Sequence, residues 1–219
     1  MTKKPDLNGP HQGLPVHKAG QPLEQAKAAM ILLHGRGATP PDILSLASEI
    51  YHPDFAYLAP QAANNTWYPF SFLAPIEDNE PGLSSGLRAI SDVLSQVEEA
   101  GLSPEKVIIG GFSQGACLAA EYTARNARHY GGLLVFSGGL IGPPGTARDY
   151  PGSLAGTPVF LGCSNTDFHI PEERVHESAQ VFERMGAAVT KRIYPNMGHT
   201  IIEDELVEAR KIVQMVAPG

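Results

Sequence analysis

The sequence predicts an α/β protein with a mainly parallel central sheet and helices on both faces of that sheet. Two observations support this prediction. Short, continuously apolar runs, typical of strands buried on both faces, alternate along the chain with segments of helical periodicity, and no internal repeat is present. With 219 residues and 42% hydrophobic composition, the chain can also bury a sizeable core, so we expect a single domain over residues 1–219.

The predicted elements follow an N-terminal segment of different character. Residues 1–27 contain four prolines, which favour a loose arm or two short edge strands over a helix. Continuously apolar runs predict strands over residues 28–33, 55–59, 107–110, 133–136, 159–162 and 189–194. Apolar residues at steps of three and four predict helices over residues 43–50, 83–97, 175–185 and 206–216. Residues 138–156, rich in glycine and proline, are expected to form a surface loop.

Residues 61–82 form a long segment without a regular period. Four aromatic residues, Trp67, Tyr68, Phe70 and Phe72, lie close together in this segment and argue against disorder. We expect a partial lid or the wall of a substrate pocket, with Trp67, Tyr68 and Phe70 in contact with the substrate. The alternative is a small core beneath a long loop.

Charge and composition exclude several classes of protein. Lys+Arg number 16 and Asp+Glu 23, giving a net charge of −7 without a basic stripe, so nucleic acid is not an expected partner. No run reaches about 18 apolar residues and no apolar stretch follows the N-terminal lysines, so we expect a cytoplasmic protein without stable membrane insertion. Cys117 and Cys163 lie at apolar positions without a metal-binding spacing, which predicts free buried thiols and no metal site.

The strongest functional signal is the G-x-S-x-G pentapeptide at residues 111–115. It follows an apolar run and precedes a series of small residues, so Ser113 is predicted on a tight turn between a strand and a helix. In such a turn neighbouring backbone segments come close together, and side chains at positions 111 and 115 would clash. Ser113 is therefore the predicted nucleophile.

A nucleophilic serine needs a histidine as base and a carboxylate that orients the histidine. Reactive groups gather at the carboxyl ends of parallel strands, which selects His199, after the last predicted strand, and Asp167, after the preceding one. The order Ser113, Asp167, His199 is that of α/β-hydrolase triads. Asp149 and Asp204 are the rival acids. His169, near Asp167, is predicted at the rim in contact with the substrate. Five further histidines are predicted to be solvated: His11, His17, His52, His129 and His176.

The developing oxyanion needs backbone N–H donors. One donor is expected from the residue after the nucleophile, Gln114, and the other from Arg36, in a glycine loop that follows the first buried strand. For His34, in the same loop, a bracing hydrogen bond is favoured over a catalytic role, because a triad needs a single base.

Four motifs together resemble the phospholipase/carboxylesterase family of α/β-hydrolases, which includes the acyl-protein thioesterases. They are Leu33–Gly37, Gly111–Gly115, Asp167 followed by Ile170-Pro171, and Tyr194-Pro195 with Gly198-His199. The resemblance extends from about residue 28 to residue 216. It implies an α/β-hydrolase fold with little or no cap domain and a cofactor-free serine esterase that acts on small-molecule esters or thioesters.

Two positions depart from the family pattern. Arg36 and Ala38 stand where the family often has an apolar and then an acidic residue, so polar or anionic substrates stay open beside long neutral acyl chains. Two alternative functions also stay open. A small peptidase or amidase would use the same triad chemistry, and a binding protein could keep the fold without the chemistry. The sequence does not decide between a monomer and a homodimer.

Overall fold

The computed structural model describes residues 9–217, and within them the chain forms a seven-stranded sheet of order β1-β3-β2-β4-β5-β6-β7. β1 pairs antiparallel with β3, and the other neighbouring strands pair in parallel. The strands are β1 (Val16–Gly20), β2 (Ala28–Leu33), β3 (Phe55–Pro60), β4 (Val107–Phe112), β5 (Gly132–Phe136), β6 (Pro158–Ser164) and β7 (Ala188–Tyr194). The predicted mainly parallel sheet is confirmed.

Helices cover both faces of the sheet, as predicted. The α-helices of the described residues are α1 (Pro40–Glu49), α2 (Gly82–Glu99), α3 (Gln114–Arg125), α4 (Glu172–Arg184) and α5 (Glu203–Val216). The apolar faces of α1 and α5 pack in one buried cluster, and those of α2, α3 and α4 pack in another. The sheet therefore lies between two cores, and residues 9–217 contain no large cap domain above it.

The N-terminal prediction holds only in part. Among residues 9–27 there is a single edge strand, β1, and residues 1–8 of the predicted arm lie outside the described part of the chain. The prediction that His11 is solvated is wrong, because its side chain is buried. His11 Nε2 donates to the Trp67 carbonyl at 2.8 Å, and Nδ1 accepts from the Ala63 N–H at 3.0 Å. Burial lowers the pKa of His11. The His11 side chain therefore links the N-terminal segment to residues 61–82 through these two hydrogen bonds.

The prediction of a surface loop over residues 138–156 is wrong for its first part. Leu140 and Ile141 are fully buried. Buried side chains satisfy the backbone there: Arg174 Nη1 donates to the Leu140 carbonyl at 2.6 Å, and Glu121 Oε2 accepts from the Ile141 N–H at 3.0 Å. A buried irregular segment is tolerated when its polar groups have such partners, and those partners lie far away in the sequence.

Glu205, in the first turn of α5, is a fully buried acid. Its Oε2 accepts from the Ile202 N–H at 2.9 Å, while its Oε1 has no hydrogen-bond partner among the described residues. Oε1 lies against Gly162, where an added Cβ would come within 2.2 Å of it. Burial raises the pKa of Glu205 to about 7, against the lowering effect of the Ile202 hydrogen bond and with a further increase from Asp204.

We expect Glu205→Gln to flatten the dependence of the unfolding free energy on pH. The pKa of Glu205 in the folded state, about 7, exceeds its ordinary value of 4.5. The folded state therefore binds this proton more tightly, and the stabilisation, complete below about pH 4.5, is lost as pH rises through about 7. At about 1.4 kcal/mol per pKa unit, the loss is on the order of 3 kcal/mol.

Denaturant unfolding of the wild type and of Glu205→Gln at pH 5 and pH 8 measures this loss of unfolding free energy. Glu208→Gln, on the same helix, is the control, because a hydrogen bond from Lys211 lowers the pKa of Glu208. That variant should keep the loss between pH 5 and pH 8. An equal pH dependence of Glu205→Gln and the wild type would contradict the expectation.

Candidate active site

Ser113 lies on a strained turn between β4 and α3, with φ 56° and ψ −121°. Residues with a side chain rarely adopt this conformation. The glycines on either side allow the close approach: a Cβ on Gly115 would lie 2.2 Å from the Leu33 carbonyl oxygen, and one on Gly111 would lie 2.6 Å from the Gly115 carbonyl carbon. The predicted steric reason for both glycines is thus confirmed.

The structure brings Ser113, His199 and Asp167 together in one hydrogen-bonded chain. His199 Nε2 lies 2.8 Å from Ser113 Oγ, and His199 Nδ1 lies 2.6 Å from Asp167 Oδ2. A carboxylate can only accept, so we assign the proton of the neutral imidazole to Nδ1, which leaves Nε2 to accept from the serine hydroxyl. Topology explains the meeting, because the three residues follow β4, β6 and β7 at the same edge of the sheet.

Asp167 lies in an environment that favours its charged form. Its side chain is fully buried, and its Oδ1 accepts from the backbone N–H groups of His169, at 2.8 Å, and Ile170, at 3.2 Å. Burial alone would raise the pKa of Asp167. The hydrogen bond from His199 and that of the His169 amide outweigh this effect, so the pKa is lowered. The carboxylate is therefore ionised at neutral pH and fixed in orientation.

Two rings pack against the imidazole of His199. The Phe112 ring centroid lies 4.8 Å from that of His199, and the His169 centroid lies 4.9 Å from it. No role was predicted for Phe112. Its place inside the pentapeptide, next to Ser113, was the available signal.

Neither rival acid contacts His199. Asp149 is exposed in the loop after β5, and Asp204 Oδ2 accepts from the Tyr194 hydroxyl at 2.6 Å. The predicted bracing role of His34 is confirmed: it is buried, its Nδ1 donates to the Gly35 carbonyl at 2.9 Å, and its Nε2 accepts from the Ala62 N–H at 3.2 Å. Burial lowers the pKa of His34.

The backbone amides of Arg36 and Gln114 flank the serine. Within residues 9–217, neither N–H has an acceptor. Gln114 is also the first residue of α3, where the unpaired N–H groups of a helix carry partial positive charge. Both amides are available to an anionic oxygen, and their role as oxyanion donors stays a prediction.

The side chains of the same two residues hold residues 67–70, which we call the wall segment. Arg36 Nη1 and Nη2 donate to the carbonyls of Pro69, at 2.8 Å, and Phe70, at 2.5 Å. Gln114 Oε1 accepts from the Trp67 N–H at 3.0 Å, and Gln114 Nε2 donates to the Tyr68 carbonyl at 2.8 Å. Only the amides of these two residues were predicted to have a role, and no local pattern in the sequence indicates these side-chain contacts.

The wall segment borders a cavity of about 480 Å³ at Ser113, which we call the aromatic cavity. Tyr68, Phe70 and His169, which were predicted to contact the substrate, line it. The prediction for Trp67 is wrong: it is fully buried outside the cavity, and its Nε1 donates to the His34 carbonyl at 2.9 Å. Trp67 thus belongs to the core, and the lid or pocket-wall role of the rest of this loop stays a prediction.

The two cysteines are free and buried, as predicted. Cys117 lines the aromatic cavity, and burial raises the pKa of its thiol to about 12. A thiol with this pKa stays protonated at neutral pH, which excludes Cys117 as a nucleophile. Within the described residues there is no group of His, Cys, Asp and Glu side chains that could hold a metal ion.

Comparisons with known proteins agree on one family. The sequence profile of the Phospholipase/Carboxylesterase family matches residues 17–217. Acyl-protein thioesterase 1 of Saccharomyces cerevisiae is 25% identical over 214 residues, which cover 88% of this chain and 94% of that protein. Acyl-protein thioesterase 1 of Gibberella zeae is 28% identical over 144 residues, which cover 65% of this chain and 61% of that protein.

One solved structure has a higher sequence identity to this chain than these two relatives. The crystal structure of a phospholipase/carboxylesterase from Dyadobacter fermentans superimposes with a TM-score of 0.89 at 44% sequence identity, and the match covers 91% of this chain and 96% of that one. As for membrane association, none of the helices in residues 9–217 has the length and apolar character that a bilayer crossing requires.

Proposed function

This chain belongs to the phospholipase/carboxylesterase family of α/β-hydrolases, and from that premise we propose that it cleaves carboxylic esters or thioesters through an acyl-enzyme intermediate. The observation that carries the proposal is the chain of hydrogen bonds from Asp167 through His199 to Ser113. Ser113 is the proposed nucleophile, His199 the general base and then acid, and Asp167 the group that orients His199.

In the first step, Ser113 Oγ attacks the carbonyl carbon of the substrate while His199 Nε2 takes its proton. The carbonyl oxygen becomes an oxyanion and accepts hydrogen bonds from the amides of Arg36 and Gln114. When the tetrahedral intermediate collapses, the bond to the leaving oxygen or sulfur breaks and His199 returns the proton to that atom. Asp167 stays ionised and stabilises the imidazolium of His199.

In the second step, a water molecule takes the place of the leaving group. His199 Nε2 removes a proton from the water as its oxygen attacks the acyl carbon, and the same two amides stabilise the second oxyanion. Collapse releases the carboxylic acid and returns the proton to Ser113 Oγ. The cycle therefore uses one base, one nucleophile and water.

The aromatic cavity is the proposed acyl site. It contains Ser113 and both oxyanion residues, and Tyr68 and Phe72 add apolar surface. Arg36 supplies a positive charge, and no acidic side chain of the described residues lines this cavity. Acyl groups with a polar or anionic end thus remain compatible with the cavity, together with short neutral ones. The names of the relatives support both ester and thioester substrates.

A fluorophosphonate probe tests the proposal directly. We expect stoichiometric labelling of Ser113, identified by mass spectrometry of the peptide, and loss of activity in parallel on matched ester and thioester substrates. Matched amides should turn over far more slowly. A well-folded protein that the probe does not label, or that it labels at another residue while ester hydrolysis persists, would overturn the assignment.

A further inference from the structure

A second cavity, of about 410 Å³, lies on the other side of His199, and we call it the α1 cavity. Ile43 and Leu46 of α1 and Leu206 of α5 line it, so it lies over the core that these two helices form with the sheet. The aromatic cavity lies over the opposite core, beside Tyr68 and Phe72. The two cavities meet at four shared residues: Gly35, Ala38, Phe112 and His199.

The lining residues assign different parts of the substrate to the two cavities. Ser113, Arg36 and Gln114 line only the aromatic cavity, and these residues must surround the acyl carbon and its oxygen. The leaving atom must instead meet the proton on His199 Nε2, and His199 borders both cavities. A leaving group that begins at His199 and points away from the acyl cavity enters the α1 cavity.

We propose, building on the proposed function, that the α1 cavity is the leaving-group subsite and that it binds an alcohol or thiol with an apolar body and no negative charge. Ile43, Leu46, Phe112, Ile201 and Leu206 give the cavity its apolar surface. Ser45 and Thr200 add hydroxyl groups at its border. Burial of apolar surface is the main source of affinity in sites of this kind.

The charges around the α1 cavity disfavour anionic leaving groups. Its charged lining residues are Asp42 and Glu49, and no lysine or arginine of the described part of the chain lines it. Asp42 Oδ2 accepts from the backbone and hydroxyl of Thr39 and keeps its charge there. Arg210 binds the backbone carbonyl of Glu49 and pairs with Glu203. The local balance of these four groups is negative.

The test fills the α1 cavity without touching the proposed triad. Ser45 is exposed on α1 and borders the cavity, so Ser45→Trp adds a large side chain at a position that does not disturb the core. Ser48, also exposed on α1, lies outside the cavity, and Ser48→Trp is the matched control. Fluorophosphonate labelling first verifies Ser113 in all three proteins, so a failure of the proposed function is detected separately.

Two substrate series then show which part of the substrate each cavity binds. In one, the acyl group is acetyl and the leaving group grows from methanol to 1-naphthol; in the other, ethanol is the leaving group and the acyl chain grows from two to eight carbons. We expect Ser45→Trp to lower kcat/KM for 1-naphthyl acetate by at least about tenfold relative to methyl acetate. The acyl series should stay within about twofold of wild type, and Ser48→Trp should change neither series.

Equal effects of Ser45→Trp on the two acetates would overturn the proposal, as would a changed acyl preference, which would place the acyl group in the α1 cavity. Charge has its own readout: the kcat/KM ratio of neutral 4-acetoxybenzamide to anionic 4-acetoxybenzoate. Glu49→Gln should lower that ratio by about two- to threefold, a size typical of an exposed charge. An unchanged ratio would overturn the proposed discrimination against anions.

Discussion

Replacing Ser113 with alanine should lower ester hydrolysis by about 10⁴-fold or more, because the acyl-enzyme route then has no atom to acylate. The residual rate would come from substrate binding and from the amides of Arg36 and Gln114, which remain in place. The measurement is the steady-state hydrolysis of 4-nitrophenyl acetate, with circular dichroism to show that the variant is folded. Fluorophosphonate labelling should disappear along with the activity.

Ser48→Ala is a suitable control for this experiment. Ser48 is exposed on α1 and lines neither cavity, so its removal should leave kcat and labelling unchanged. Turnover within a few fold of wild type in a folded Ser113→Ala protein would show that another group performs the reaction, and the triad assignment would then be wrong.

The second large effect is expected from Asp167→Asn, with kcat reduced by up to about 10⁴-fold. The carboxylate now accepts from His199 Nδ1 at 2.6 Å and so keeps Nε2 free to take the serine proton. An amide group at this position can donate to Nδ1 instead, which would leave the proton on Nε2 and remove the base. The loss should appear in kcat, while binding of a non-reactive substrate analogue should change little.

Asp149→Asn and Asp204→Asn are the matched controls, since neither acid contacts His199. Asp149 is exposed, and Asp204 is bound by the Tyr194 hydroxyl. Both variants should retain wild-type kcat. If Asp149→Asn loses activity and Asp167→Asn does not, then the orienting acid has been misassigned.

The fold and the three central site residues could be predicted from sequence because they depend on local patterns and topology. Strands buried on both faces must be continuously apolar, which identifies β2 and β4 directly. In a parallel sheet, the residues after adjacent strands meet at one edge. The positions of Asp167 and His199, after β6 and β7, therefore follow once the strands are known.

Other features depend on partners that are distant in the chain, and local patterns do not contain them. His11 is buried because the carbonyl of Trp67 and the amide of Ala63 lie beside it. Trp67 is a core residue because its ring packs beside His11, His34 and Gly86 of α2, although its position in an aromatic run equally favours a pocket wall. The buried start of the loop after β5 depends on Arg174, which belongs to α4.

The side chains of Arg36 and Gln114 hold the wall segment through its main chain, so these contacts do not depend on the side chain at position 70. All four contacts end on main-chain atoms, namely the amide nitrogen of Trp67 and the carbonyl oxygens of Tyr68, Pro69 and Phe70. The side chain of Phe70, which is 58% exposed, takes no part in them. We therefore expect substitutions at position 70 to change the shape of the proposed acyl site without disturbing the contacts of Arg36 and Gln114. The main chain of the wall segment thus maintains the position of the two residues proposed as oxyanion donors, and the exposed side chain of Phe70 shapes the cavity independently.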